Sequence, residues 1–246
     1  MKTILTVLLA LSNCIISQAQ AVSVDTAAAF RNELFGSGKL LFGIEAGFSY
    51  TTLYGKELRY VFAEKKASYK PGYHFGLTVN NKIRENFRLK HELIFNRRVV
   101  GIQLSDSING QYSSKLKMSY LELQPANATF HLKGFQVYGG PYISALLGAQ
   151  IRRKDNNGNT SDDHSIFGTP GNDESQSKYL QKLDFGINIG LGYQLPIGLS
   201  IGVNYTHGLT DIFQYANSYT NGSTKMDNIK IYNRGWMVSA VYYFMH

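Results

Sequence analysis

Cysteine is nearly absent from this chain. The single example, Cys14, lies within the first 20 residues, so a chain trimmed beyond it has no disulfide framework and no cysteine-based metal site. Proline is scarce as well, five in 246 residues, and one of them, Pro125, falls within an otherwise strand-like segment. Beyond the first residues, no run approaches the roughly 20 apolar residues that a membrane helix requires. Mean hydropathy is slightly negative at −0.20, which disqualifies a helical membrane protein. The formal charge is +8, but the basic residues are scattered rather than clustered into a stripe.

What is present begins with a leader. Residues 1–20 combine one positive charge at Lys2, an apolar run from Ile4 to Leu11 and small residues near Ala19 and Ala21, which is the layout of a secretory signal peptide. Cleavage is expected after Ala19 or Ala21. A rival reading makes Cys14 the lipidated residue of a lipoprotein, but Asn13 stands where a small residue is expected. Export removes the opportunity to meet nucleic acid, and losing Lys2 takes the formal charge from +8 to +7. Glycine (24), tyrosine (17) and phenylalanine (14) are abundant, which suits a sheet with aromatic girdles.

The pattern that organises the chain is a period of two. In LDFGINIGLGYQL, Leu183, Phe185, Ile187, Ile189, Leu191, Tyr193 and Leu195 share one face, and Asp184, Gly186, Asn188, Gly190, Gly192 and Gln194 share the other. After the tight turn Pro196-Ile197-Gly198 the chain returns with Leu199, Ile201, Val203 and Tyr205 on the apolar face, which predicts a hairpin. Similar alternation predicts a first strand with Leu40, Phe42, Ile44 and Phe48 outward, a second with Tyr73, Phe75 and Leu77 outward, and a third with Phe87, Leu89, Leu93 and Phe95 outward. A fifth strand from Phe135 to Ile151 turns Val137, Ile143, Ala145 and Leu147 out and Gln136, Tyr138, Tyr142 and Gln150 in. The last strand carries Trp236, Val238, Ala240, Tyr242 and Phe244 on one face. In the fourth, Leu116, Met118 and Tyr120 share a phase that Leu121 and Leu123 oppose, and a bulge near 120–123 would reconcile them.

Links alternate in length. Residues 81–86, 131–134 and 195–198 are short, whereas 51–70, 103–115, 152–180 and 211–228 are longer and polar. This rhythm predicts an all-β fold: an eight-stranded antiparallel transmembrane β-barrel with short periplasmic turns and long extracellular loops, set in the cell outer membrane. The expected organisation is a signal peptide at 1–20, a periplasmic lead at 21–38, and a single barrel domain at 39–246. A short amphipathic helix around Thr26–Phe35 is an alternative to a loose lead.

The segments FGIEAGFSY, SYLELQP, GGPYIS and LDFGINIGLGYQL leading to NYTHGLTDIF resemble the PorT-like outer-membrane β-barrel proteins common in Bacteroidetes, over most of residues 39–244. The resemblance implies the barrel fold and, from the family's founding member, an accessory part in protein secretion across the outer membrane.

Inward phase gathers Glu45, Arg88, Lys90, Glu92, Arg98 and Asp184 into a lumen charge network. Such charges pair in a low-dielectric interior. They form either a structural plug or an ion pathway, and the small bore of eight strands favours the plug. A lipid A-modifying enzyme would need a hydroxyl, a histidine and a carboxylate converging near the outer rim. His207 lies there, His74 points inward, and no catalytic spacing joins them to Ser49 or Glu45. The acidic segment Asp155–Asp163 offers oxygen ligands at alternate positions, but Thr160 and Ile166 break the calcium-loop pattern. Arg152, Arg153 and Lys154 would sit near lipopolysaccharide phosphates, and Tyr112, Tyr215 and Tyr219 would serve a girdle or a protein partner. The expectation is a non-enzymatic structural or interaction protein without a cofactor. Its expected partners are outer-membrane lipid, lipopolysaccharide and an envelope or secretion protein, with a barrel enzyme or a narrow pore as the alternatives.

Overall fold

In a computed structural model of the chain, the described residues are 40–55, 58, 67–106, 110–154, 158–164, 180–213, 220–221, 224–225 and 230–244. The predicted signal peptide and periplasmic lead lie outside them, as do Tyr215 and Tyr219. The strands are β1 (Leu40–Tyr54), β2 (Ala67–Arg84), β3 (Phe87–Asp106), β4 (Gly110–Leu132), β5 (Phe135–Lys154), β6 (Thr160–Asp163), β7 (Leu183–Gln194), β8 (Leu199–Gly208), β9 (Thr220–Asn221), β10 (Thr224–Lys225) and β11 (Tyr232–Phe244). Eight of them close a ring in the order β1, β2, β3, β4, β5, β7, β8, β11 and back to β1, each neighbour antiparallel. Closure leaves no free sheet edge around the barrel. The short β6 lies on the outer end of β5, and β9 pairs with β10 apart from the ring.

Alternation dictates which face each residue takes. Along β7 every odd residue from Leu183 to Tyr193 is exposed on the outside of the barrel, while Asp184 and Asn188 are buried inside. At one end of the ring the links are 85–86, 133–134 and 195–198. Lys133 and Gly134 both have positive φ, 49° and 88°, the geometry of a type I′ hairpin whose twist matches the strands it joins. Both Leu40 and Phe244 lie at this end, so the chain enters and leaves the barrel on the periplasmic side.

The outer end departs from expectation. The predicted long loop at 103–115 is mostly strand, because β3 and β4 stay paired up to Asp106 opposite Gly110. Likewise 152–154 belong to β5, and 160–163 fold back on it as β6. Strands of 20 and 23 residues in β3 and β4 far exceed the roughly 9–11 needed to cross a membrane. Here the pattern inverts. Lys115 and Lys117 point outward, while Val100, Ile102, Leu116 and Met118 are buried inside. Outside the membrane the barrel obeys the ordinary rule of a water-soluble sheet, with polar side chains out and apolar side chains in.

That inversion explains β4. The irregularity expected near 120–123 lies on the neighbouring strand. β4 itself inserts no residue there and alternates without a break against β3 from Glu122 opposite Ile94 up to Gly110. The register shift at Ser119 and Tyr120 arises from an extra residue of β5. Tyr120 faces in and Leu121 faces out by the ordinary pleat, and apolar residues take both phases because the surroundings change along the strand. The extra residue of β4 lies lower, between Gln124 and Ala128, where Pro125 has no N–H to give the ladder and its carbonyl meets His91 Nδ1. A second irregularity adds Leu147 to β5 opposite Ser119 and Tyr120. It reverses the phase beyond that point, so Ala149 and Ile151 are buried and Gln150, expected inward, faces out.

Candidate functional site

The inward face of β3 shows what fills the barrel. From the periplasmic end it reads Arg88, Lys90, Glu92, Ile94, Asn96, Arg98, Val100, Ile102, all buried. Along this strand charge occupies the lower and middle positions and apolar side chains the top, while a small apolar cluster of Leu41, Val241 and Tyr243 lies at the periplasmic end.

The upper layer is a hydrophobic core in which Leu53, Val100, Leu116, Met118 and Ile151 meet Leu180, Ile212, Phe213 and Ile231 from the outer links. Those links tuck over the mouth by backbone pairing: Gln181 N donates to Ile212 O at 2.8 Å, and Ile212 N donates to Ile231 O at 2.9 Å. Asp211 Oδ1 accepts from the N–H groups of Phe213 and Ile231 at 3.1 and 3.2 Å, which holds the tuck.

Below lies the polar layer, in two clusters. In the first, Lys90 Nζ is 2.9 Å from Glu92 Oε1 and sits 4.1 Å from the centre of the Tyr138 ring. Glu45 is beside it, 3.6 Å from His74 Nε2. In the second, Arg98 donates to Glu122 Oε2 at 2.5 Å and to Asp184 Oδ2 at 2.7 Å, with the Tyr120 and Tyr142 rings against its guanidinium at 4.6 and 5.5 Å. Amides bridge the clusters. Asn127 Nδ2 donates to Glu92 at 2.7 Å and to Gln124 Oε1 at 2.6 Å, and Gln124 Nε2 donates to Glu122 Oε1 at 2.8 Å. Buried charges are tolerated when paired and hydrogen-bonded in this way.

Of the six lumen residues singled out from the sequence, the structure brings Glu45, Lys90 and Glu92 together in one cluster and Arg98 with Asp184 in the other. Arg88 lies lower, opposite Thr129 near the periplasmic turns. The sequence reading missed Glu122, Gln124 and Asn127, all on β4, along with Tyr142 and Ser144 on β5 as partners. The phase of β4 carried the missing signal, since a polar Glu122 between exposed Leu121 and Leu123 marks an inward position.

Two arrangements bear on catalysis. His74 Nε2 is 2.8 Å from Ser239 Oγ and 3.6 Å from Glu45 Oε1. A catalytic relay uses the two ring nitrogens for different partners. Here one nitrogen faces both, in the packed lumen. His207 lies on the opposite face of the wall, where its Nε2 is 2.7 Å from Tyr54 Oη, and Tyr54 also donates to Gly208 O at 2.9 Å. The barrel wall therefore separates His207 from Ser49 and Glu45. On the outer rim, Asp162 and Asp163 of the supposed calcium segment are held by Arg152 and Arg153 at 2.6 and 2.8 Å.

A closed, up-and-down ring with an apolar belt, short turns at one end and a filled lumen defines an eight-stranded outer-membrane β-barrel. The model of the family described as "outer membrane protein beta-barrel domain" matches residues 18–214, and the chain belongs to that family. Its place is the outer membrane. Among solved structures it is similar to Ail, the attachment invasion locus protein of Yersinia pestis, in complex with the heparin analogue sucrose octasulfate; identity is 13%, coverage 84% of this chain and 99% of that one, and the TM-score 0.40. It is also similar to Neisserial surface protein A at 10% identity, 82% and 97% coverage and a TM-score of 0.42. The outer membrane enzyme PagL gives 12%, 83%, 99% and 0.32. No curated protein sequence matches.

Proposed function

We propose that this barrel is a non-enzymatic structural or interaction protein of the cell envelope, acting through the surface that rises above the membrane. The observation that carries this reading is the doubly closed lumen, with the Arg98–Glu122–Asp184 network capped by the apolar layer around Leu116 and Met118. A lumen filled by side chains in this way supports a structural plug over a conducting path, and leaves the outer surface as the part free to act. The strand extensions of β3, β4 and β5 instead build a rigid outer platform, and binding surfaces concentrate on segments held by such a scaffold. Assistance to a secretion or assembly machine is the specific form that the PorT-like resemblance implies.

The test is crosslinking in intact outer membranes followed by capture of the full-length protein. A stoichiometric envelope or secretion protein is the expected result. Recovery of lipid and bulk porins alone would leave a stand-alone barrel and overturn the interaction role. Altered lipid A that reverts on His207→Ala substitution would replace the reading with an enzyme, and single-channel conductance in planar bilayers would replace it with a pore.

A further inference from the structure

The outer face of β3, β4 and β5 carries a compact group of cations directly above the lipid-facing belt. Arg97 is opposite Ser119, to whose Oγ it donates at 2.5 Å. Two residues farther out on β4 is Lys117, and two beyond that is Lys115. Lys115 is the register partner of Arg152 on β5 on one side and of Gly101 on β3 on the other. The Lys70 side chain lies over Gly101, since a Cβ built there would meet Lys70 Cε at 2.7 Å. Lys117 is within electrostatic range of Arg97, Lys115 and Arg152. Five cations therefore share one patch. Among the described residues of this face, Asp162 is the carboxylate, and it is engaged by Arg152.

Like charges placed opposite one another on neighbouring strands destabilise a sheet unless a counter-charge sits between them. The location of the patch says which counter-charge. Its lower edge continues into Leu121 and Leu123 on β4, Leu93 on β3 and Leu147 on β5, all exposed on the lipid-facing surface. Lys117 lies four residues beyond Leu121, about 13 Å along the strand at 3.3 Å per residue. Apolar side chains below and ammonium or guanidinium groups one headgroup higher match a molecule with acyl chains and an anionic headgroup. A soluble acidic partner would need no such apolar continuation.

We propose that Lys70, Arg97, Lys115, Lys117 and Arg152 form a docking site for the phosphorylated headgroup of an outer-leaflet lipid. Arg97 and Lys117 sit nearest the acyl region and Lys115, Lys70 and Arg152 above them. The patch anchors the β3–β5 side of the barrel at a fixed depth. This does not rest on the barrel having a protein partner, and its failure would leave that reading untouched.

The experiment uses the full-length barrel in nanodiscs of phosphatidylcholine doped with bis-phosphorylated lipid A, or with the same lipid A dephosphorylated, and reads retained lipid A by native mass spectrometry. The wild type should retain the phosphorylated form at least about tenfold better, because each basic residue near an anionic surface adds severalfold to affinity. The triple variant Lys115→Gln, Lys117→Gln, Arg152→Gln should lose that preference, while Lys115→Arg, Lys117→Arg should keep it. Lys82→Gln, Arg84→Gln, Lys133→Gln, at the periplasmic end, removes the same three charges and should also keep it. Heat-modifiable gel mobility verifies that each variant is folded. Equal retention of both lipid forms by the wild type, or an unchanged preference in the triple glutamine variant, would overturn the proposal.

Discussion

Arg98 on β3 reaches Asp184 on β7 across the lumen, Nη1 to Oδ2 at 2.7 Å, while its other nitrogen holds Glu122 on the adjacent strand. One guanidinium thus ties three walls of the barrel. Its fork geometry satisfies two carboxylates at once, which a lysine could not reproduce. Arg98→Ala leaves two buried carboxylates facing each other and should cost about 3–5 kcal/mol. Replacing Arg98, Glu122 and Asp184 together by methionine and leucine strands no charge but removes the acceptors of Gln124 Nε2 and Asn233 Nδ2, so it should recover only part of that loss. Urea unfolding in detergent micelles, followed by gel mobility, measures both. A single alanine variant as stable as the wild type would show that the pairs do not hold the walls.

Gly190 and Tyr138 make a second fitted pair. A Cβ at Gly190 would lie 2.5 Å from Tyr138 Cζ, and the same ring stacks over Lys90. The ring is stiff and buried, so it cannot give way as a flexible chain end would. Gly190→Val should destabilise by about 1–3 kcal/mol through overpacking. In combination with Tyr138→Leu the added penalty should shrink, a coupling that a double-mutant cycle reads directly. Full additivity would indicate that the glycine serves the backbone alone.

At the outer rim, Arg152 clamps Asp162 with two hydrogen bonds, Nε to Oδ1 at 2.7 Å and Nη2 to Oδ2 at 2.6 Å. These hold the Asp162 carboxyl below its ordinary range, against an opposing contribution from burial. A carboxylate depressed in the folded state stabilises at pH values above its unfolded pKa, and the stabilisation is lost as pH falls through the lowered folded value. The β5–β6 hairpin should therefore keep its amide protection at neutral pH and loosen progressively below about pH 4. Asp162→Asn should show the loosened state already at neutral pH, with the barrel strands unaffected. Hydrogen exchange resolved at Ile151–Lys154 and Thr160–Asp163 is the measurement, and a protection pattern insensitive to both changes would count against the clamp.

How much of this could be read from the chain depends on where each strand sits relative to the membrane. Within the lipid zone the alternation is dictated by two contrasting surroundings, and Leu183 to Tyr193 or Phe42 to Phe48 announce their faces without ambiguity. Inward charges such as Glu45, Arg98 and Asp184 were legible for the same reason. Above the membrane the contrast reverses, so Leu116 and Met118 point inward with the phase that polar residues hold lower on the same strand. A sequence pattern records only alternation, not the solvent that gives it a sign. Glu122, Gln124 and Asn127 were hidden behind that reversal and behind the bulge at Pro125, which shifts Asn127 onto the face shared by Gln124. Distances across the lumen, such as Arg98 to Asp184, arise only once the ring closes.

Leu116 and Leu123 put the reversal to a direct test, since they are the same residue type on one strand, seven positions apart. Leu116 is fully buried in the upper core, whereas Leu123 is 44% exposed on the lipid-facing surface. Truncating Leu116 to alanine opens a cavity among Val100, Met118 and Ile151, in protein too closely packed to collapse fully, and should cost about 2–5 kcal/mol. Truncating Leu123 leaves a gap that acyl chains fill, so its cost should stay well below that. Equilibrium unfolding of the two variants in the same lipid distinguishes them. Equal costs, or a larger one for Leu123, would mean that β4 is turned the other way round, with the upper core and the Glu122 network displaced together.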